Sequence, residues 1–111
     1  MTDPDKSLDV LPGTLDLLIL KTLALEPQHG WGIGQRIQQT SRVFQMKLGS
    51  LYPALQRLEQ AGLIQAQWRQ SDNNRRARYY RLTRLGQKRL QIEISAWQRL
   101  AAGVTRIVES T

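Results

Sequence analysis

The sequence predicts an α+β fold that is mainly α: a winged helix-turn-helix with a long C-terminal dimerisation helix. Three observations predict it: three helical segments come first, two short strands joined by an arginine-rich turn follow, and the chain closes with a heptad-spaced helix. We expect a flexible N-terminal arm (1–11), a winged helix-turn-helix domain (12–83) and a dimerisation helix (84–111).

The first two helices are predicted from apolar residues bounded by caps and breakers. Structure is expected to begin near Pro12, with Thr14 as the N-cap of a helix that ends before Pro27, because proline disfavours the helical conformation of the residue before it. A tight corner follows, where we expect His29 to make a structural hydrogen bond. A second, more polar helix then runs to about Thr40.

The third helix carries one apolar stripe. The residues of this stripe are spaced i, i+4 and i+7 and comprise Leu51, Leu55 and Leu58. We expect Ser50 to cap the helix, Pro53 to be tolerated in its first turn, and Gly62 to end it. One face of this helix can therefore pack while another remains available for recognition.

Beyond Gly62 the period changes from helical spacing to two. Alternating apolar and polar residues from Ile64 to Arg69 predict a half-exposed strand, and the polar group 70–74 predicts a turn. A second strand is expected over 78–82, and Thr83 is the expected cap of a last helix that reaches about Glu109.

The last helix has a heptad seam that predicts a dimer interface. Its apolar residues, spaced 4, 3, 4, 3 and 4, are Leu90, Ile94, Trp97, Ala101, Val104 and Val108. Leu100 and Ile107 widen the stripe, so we expect one edge to pack on its own domain and the other on a second copy. Trp97 either fills the dimer core or lines an apolar slot for an aromatic ligand.

Charge favours a polyanionic partner. The chain has 16 Lys and Arg against 9 Asp and Glu, which gives a net charge of +7. The segment from Arg69 to Arg89 contains eight basic residues and a single acid, Asp72. Alone, such a run is more often a solvated face than a binding site. With no cysteine, no apolar run long enough for a membrane span and a polar, acidic N-terminus, the sequence predicts a cytoplasmic protein without disulfides.

The residue inventory disfavours catalysis and metal binding. His29 is the one histidine, there is no cysteine, and no glycine-rich phosphate loop is present. We therefore predict no enzyme activity, no catalytic residue, no metal and no cofactor.

Candidate DNA contacts lie in the third helix and in the turn between the strands. Ten residues are the candidates: Lys47, Ser50, Tyr52, Gln56, Arg57, Asn73, Asn74, Arg75, Arg76 and Arg78. Gln56 and Arg57 are the better candidates for base edges, although Arg57 could instead pair with Glu59 or Glu26 on a solvated face. Tyr52 could equally be a core-edge residue, and Trp31 and Trp68 are expected to be structural.

Four stretches resemble the PadR-type transcriptional regulators of the short kind, with a single C-terminal dimerisation helix. They are LPGTLDLLILKTL at 11–23, HGWGI at 29–33, GSLYPALQRLEQAGLI at 49–64 and RRARYYRLTRLG at 75–86. The resemblance implies a recognition helix at 50–61, a wing at 66–82 and a dimer helix from Arg84 onward. Trp31 departs from the tyrosine usual in the family, so any role of that hydroxyl is lost.

The same resemblance implies a homodimeric repressor that binds double-stranded DNA at a roughly palindromic operator. It also implies release by a small aromatic or hydrophobic effector, because Trp97 matches a tryptophan that lines a central effector pore in multidrug-responsive members. With one helix available for the dimer, Leu15, Leu18 and Trp97 are the predicted effector-lining residues.

Two other classes of function compete with this interpretation. One is a winged-helix module whose basic patch docks on an acidic protein without specific DNA binding. The other is a basic helix lying on a membrane, which the seam spacing and the gathering of charge at one end disfavour.

Overall fold

A computed structural model describes residues 8–9, 12–45, 47–70 and 73–111 of the chain, and most of the predicted N-terminal arm lies outside them. The described residues are mainly helical and form four helices and two small sheets. The elements in chain order are β1 (Leu8–Asp9), α1 (Pro12–Leu25), β2 (Gln28–His29), α2 (Gly30–Thr40), β3 (Phe44–Gln45), α3 (Leu48–Gln60), β4 (Ile64–Gln70), β5 (Arg76–Leu82) and α4 (Arg84–Val108).

The first two helices follow the predicted order, with one correction. Helix α1 begins at Pro12, so Thr14 lies inside it and the prediction of a Thr14 cap was wrong. It ends two residues before Pro27, as expected. His29 is the N-cap of α2, and its Nδ1 accepts a hydrogen bond of 2.9 Å from the amide of Gly32, which confirms its structural role.

Three two-residue strands were not predicted, because two residues have no readable periodicity. Strand β1 pairs in parallel with β3, with Leu8 opposite Phe44. Strand β2 pairs antiparallel with β5, with His29 opposite Tyr79, and so extends the hairpin to a three-stranded sheet in the order β2-β5-β4. The corner before α2 is thereby attached to the wing.

Helix α3 starts earlier than the sequence suggested. Its N-cap is Lys47, so Ser50 is not the cap and Pro53 lies in the helix interior instead of the first turn. Proline there removes one internal hydrogen bond, which the helix tolerates next to its solvent-exposed first turn. Gly62 follows the C-terminal end with φ of 77°, the left-handed conformation that favours glycine, as predicted.

The predicted hairpin is confirmed. Strands β4 and β5 pair antiparallel from Ile64 opposite Leu82 to Gln70 opposite Arg76. Asn74 lies in the turn with φ of 65°, a conformation that asparagine tolerates better than most residues. Side chains alternate between the two faces of a strand, and residues directly opposite each other share a face. Trp68 is opposite Arg78, so it lies on the same face of the hairpin as Arg78 and Tyr80. This face is directed at α3.

The core lies where α1, α2, α3, the hairpin and the first part of α4 meet. Its largest fully buried side chains are Ile19, Leu20, Ile33, Leu51, Leu55, Ile64 and Leu90. Leu90 was predicted as an interface residue, but it is 2% exposed within its own domain, and Ile94 packs against the same cluster. The predicted seam therefore has two parts. Its first two residues, Leu90 and Ile94, pack in or against the core of their own domain, and the seam residues that are exposed begin at Trp97.

Helix α4 is joined tightly to the base of the wing. The Oγ1 of Thr83 accepts a hydrogen bond of 3.0 Å from the amide of Gly86, which confirms the predicted cap. The same hydroxyl donates to the carbonyl of Gly62, and the amide of Thr83 donates to the carbonyl of Leu63. A Cβ at Gly86 would lie 2.0 Å from the carbonyl oxygen of Leu63, so this crossing requires glycine.

Candidate nucleic-acid interface

The outer face of α3 is exposed and polar. The apolar stripe of α3 is buried with Ala54, and Gln56 and Gln60 lie on the side of the helix opposite that stripe. Gln60 was not among the candidate residues, although its helical spacing from Gln56 could have identified it. The structure thus places two amide side chains, one turn apart, where a DNA groove could meet them.

Arg57 is directed away from this outer face. Its Nη2 lies 2.5 Å from Oδ1 of Asp16 on α1, so Arg57 pairs with this acid and not with Glu59 or Glu26, the partners named in the alternative interpretation. Glu59 pairs instead with Arg78 of the wing. The Asp16–Arg57 ion pair connects the recognition helix to α1, which makes Arg57 a residue that positions α3.

Burial shifts the pKa of the Asp16 carboxyl. Desolvation raises the pKa of its carboxyl above 3.8, nearby Glu93 raises it further, and Arg57 opposes the shift through its charge and hydrogen bond. A raised pKa in the folded state means that the folded protein binds the proton more tightly. The stability contributed by this group is therefore fully present below its unfolded pKa and is lost as pH rises through the folded pKa.

Asp16→Asn is expected to remove this pH dependence. Between about pH 3 and about pH 7, the free energy of unfolding of the variant should rise relative to that of the unmodified protein, because asparagine carries no charge to desolvate. Urea unfolding across that range measures the difference, and Glu109→Gln, at the exposed end of α4, controls for the loss of one acid. A difference that falls with pH would mean that the ion pair with Arg57 outweighs burial.

Three arginines of the wing lie near its aromatic rings. The guanidinium of Arg69 lies 3.8 Å from the ring centre of Tyr79, and that of Arg76 lies 5.4 Å from the ring of Trp68. Arg78 lies 5.8 Å from Tyr80 and also bonds Glu59 of α3 at 2.7 Å. Arg78, predicted to bind DNA, therefore holds the wing against the recognition helix.

The wing tip presents polar and basic side chains to solvent. All four of its predicted contact residues are exposed: Asn73, Asn74, Arg75 and Arg76. The side-chain amide of Gln70 donates a hydrogen bond to Asn74, which supports the turn. Lys47 and Ser50, at the N-terminal end of α3, are exposed as well.

A groove of about 630 Å³ separates α2 and α3 from the wing. Its residues are His29, Gly30, Trp31, Tyr52, Trp68, Asn73, Arg75, Arg76, Ala77, Arg78 and Tyr80. Tyr52 is 47% exposed, so it is not a core residue. Its ring nevertheless packs on Gly30, because a Cβ added to that glycine would lie 2.6 Å from a ring carbon of Tyr52. Trp31 and Trp68 were expected to be structural, yet they are 56% and 57% exposed.

A second cavity, of about 320 Å³, lies between α1 and α4 beside Trp97. It is lined by Gly13, Thr14, Leu17, Glu93, Ala96, Trp97 and Leu100. Of the α1 residues predicted to line an effector site, Leu15 is 2% exposed in the core and Leu18 packs against it. Within one protomer, Leu17 takes the position beside Trp97 that was expected for those two.

Two other features are absent from the described ranges. Residues 8–9, 12–45, 47–70 and 73–111 contain no group of three or more His, Cys, Asp and Glu side chains that could hold a metal ion. In the same part of the chain, no helix combines the length and the apolar character needed to cross a membrane.

Comparisons with known proteins point to one family. The PadR-like family of transcriptional regulators matches residues 19–92. A protein of Lysinibacillus sphaericus is 33% identical over 90 residues, which cover 80% of this chain and 83% of that protein.

Solved structures agree with this match in fold. A crystal structure from Streptococcus mutans superposes with a TM-score of 0.83 at 29% identity and covers 93% of each chain. A PadR family transcription regulator from Clostridium difficile gives a TM-score of 0.75 at 28% identity, covering 85% of this chain and 97% of its own. The chain therefore belongs to the PadR-like family of transcriptional regulators, and it is a DNA-binding regulatory protein and not an enzyme.

Proposed function

We propose that the protein is a homodimeric, sequence-specific repressor that binds a palindromic operator. The observation that carries the proposal is the exposed polar face of α3 next to an arginine-bearing wing, on a chain with a net charge of +7. In this arrangement the helix enters the major groove and the wing contacts the adjoining backbone. We propose that the protein binds this operator in the cytoplasm.

Each candidate residue has a distinct task in this proposal. Gln56 reads base edges, because a glutamine amide can bond an adenine through two hydrogen bonds. Lys47 and Ser50, at the start of α3, bind phosphates, and the wing tip binds the backbone or enters the minor groove. Arg57 and Arg78 act indirectly, since Asp16 and Glu59 engage their guanidinium groups.

The second half of α4 supports the homodimer. Five large apolar residues there are at least half exposed: Trp97 at 50%, Leu100 at 65%, Val104 at 52%, Ile107 at 74% and Val108 at 76%. Such a continuous apolar strip on a helix favours burial against another helix, and a second copy supplies the matching strip. The two recognition helices would then bind half-sites about 10 bp apart.

Val104→Asp is expected to weaken the dimer by at least about tenfold, because it would bury an unpaired carboxylate in the interface. Ala102→Asp is the matched control: two residues away on a helix of about 3.6 residues per turn, it projects from nearly the opposite side and is exposed. Sedimentation velocity over a range of protein concentrations measures both. Equal dimer stability in the two variants would contradict the proposed seam.

The cavity beside Trp97 is the proposed effector site. The cavity lies between α1 and α4, and its apolar lining includes Leu17, Trp97 and Leu100. Such a lining suits a small aromatic or hydrophobic molecule. In the proposed dimer the same region would meet its symmetry mate. Because half-site spacing on DNA is constant, a ligand that shifts α4 would separate the two α3 helices from their half-sites and release the operator.

A fluorescence-anisotropy titration tests the function. We expect the protein to bind a duplex from the promoter of its own gene far more tightly than random duplex, with affinity that falls steeply as salt increases. Gln56→Ala should change the preferred operator sequence while leaving the salt dependence intact. Equal affinity for both duplexes would contradict sequence-specific repression.

A further inference from the structure

We propose that Trp31 and Trp68 are DNA-contact residues: they stand in the groove between α2, α3 and the wing, and one strand of the operator lies in that groove against their rings. The inference rests on the proposed function, because it assigns a partner and a binding mode to the same surface. It adds an apolar component to an interface so far described by its charges and amides.

Exposure is the first observation behind this assignment. Trp31 and Trp68 are more than half exposed, although burying a tryptophan side chain is strongly favourable. Both belong to the same groove, together with Tyr52 and the buried ring of Tyr80. Two large rings kept exposed in one concave surface indicate a surface that is covered when a partner binds.

Charge identifies the partner. The exposed Arg75 and Arg76 stand at the wing end of the groove, and none of the groove residues within the described ranges is an acid. The occupant must therefore present negative groups together with apolar surface. A DNA strand does so in a regular order, with a phosphate between successive deoxyribose rings, whose carbon–hydrogen faces can pack on tryptophan.

The wing geometry gives Trp68 a second task. The guanidinium of Arg76 lies over its ring at 5.4 Å, so the ring limits the directions in which this arginine can extend. Trp68 thus contacts the strand and positions a phosphate-binding group beside it. Trp31, at the start of α2, contacts the strand from the opposite wall of the groove.

An apolar contact and a charged contact differ in their response to salt. Trp31→Ala and Trp68→Ala are each expected to reduce operator affinity about tenfold, through the apolar area that no longer leaves water. Trp31→Ala removes no charge, so the slope of log affinity against log salt should stay unchanged. A change in that slope would mean that Trp31 acts only by positioning charged groups that bind phosphate. That result would overturn its role as an apolar contact with DNA.

Single-tryptophan variants provide the direct test. The chain contains three tryptophans, so Phe substitutions in pairs leave Trp31, Trp68 or Trp97 as the sole reporter in three full-length variants. Quenching by acrylamide, a neutral collisional quencher, is measured with and without saturating promoter duplex, and anisotropy of the labelled duplex is followed in the same samples. Trp97, in the separate α1–α4 cavity, is the matched control.

We expect the duplex to reduce the quenching constants of Trp31 and Trp68 at least about twofold, and that of Trp97 much less. Duplex binding by anisotropy without protection of Trp31 and Trp68 would overturn this inference and leave the proposed function standing. No anisotropy change on the promoter duplex would overturn the proposed function itself. Protection that appears with rising protein concentration before DNA is added would show a contact between copies of the chain and would also overturn the inference.

Discussion

Gly86→Ala is expected to lower the free energy of unfolding by about 3 kcal/mol. The new Cβ would lie 2.0 Å from the carbonyl oxygen of Leu63 and 2.7 Å from Cδ1 of Leu82. The first contact is with backbone that already accepts a hydrogen bond from the amide of Thr83, so it cannot yield without weakening the junction. Urea unfolding followed by far-UV circular dichroism measures the change.

Gly103→Ala is the matched control, because Gly103 belongs to the same helix and has no atom within 4 Å of an added Cβ. That substitution should raise the free energy of unfolding by roughly 0.5 to 1 kcal/mol, the usual advantage of alanine over glycine in a helix. Equal effects of the two substitutions would show that helix α4 does not cross the start of β4 as closely as the structure places it.

The double substitution Arg75→Ala with Arg76→Ala is expected to reduce DNA affinity at least about a hundredfold, whatever the DNA sequence. Both residues are exposed at the wing tip, and the proposed dimer would have two wings, so four cations would be lost. At about 0.9 per phosphate contact, the slope of log affinity against log salt should become shallower by roughly 3 to 4. Anisotropy titrations at several salt concentrations give affinity and slope together.

Arg99→Ala with Arg106→Ala is the control for charge. It changes the net charge equally, but both residues are exposed on α4, away from the wing. The control should leave the slope almost unchanged. If it flattened the slope as much as the wing substitution, the attraction would come from the overall charge of the protein and not from arginines that contact phosphates.

Local patterns were enough to predict the main elements of this fold. The apolar stripe of α3, the change to period two after Gly62, and the Thr83 cap are all confirmed, because each depends on residues near one another in the chain. Helix starts were less predictable: Thr14 and Ser50 have capping side chains, yet the helices begin before them. Capping is a weak local preference that packing of a longer helix can override.

The candidate site shows the same division between short-range and long-range information. The distribution of charge along the chain predicted a basic wing, and helical spacing predicted that Gln56 lies on an outer face. Neither pattern could predict which acid each arginine pairs with. Arg57 pairs with Asp16, 41 residues earlier in the chain, and Arg78 pairs with Glu59, 19 residues earlier. Both arginines were candidates for DNA contact, and the tertiary structure pairs each of them with an acid on another element.

The amino-acid order predicted helices, a basic wing and a heptad-spaced terminal helix, and the resemblance of four stretches to PadR-type regulators indicated a regulator that binds DNA. The tertiary structure decided which residues are free to act. It buried Leu90 in the core, placed Leu17 beside Trp97, and exposed Trp31 and Trp68 in the groove next to α3. Periodicity identifies the faces of a single element, whereas exposure and ion pairing depend on which other element packs against each face, and that is settled only when the whole chain folds.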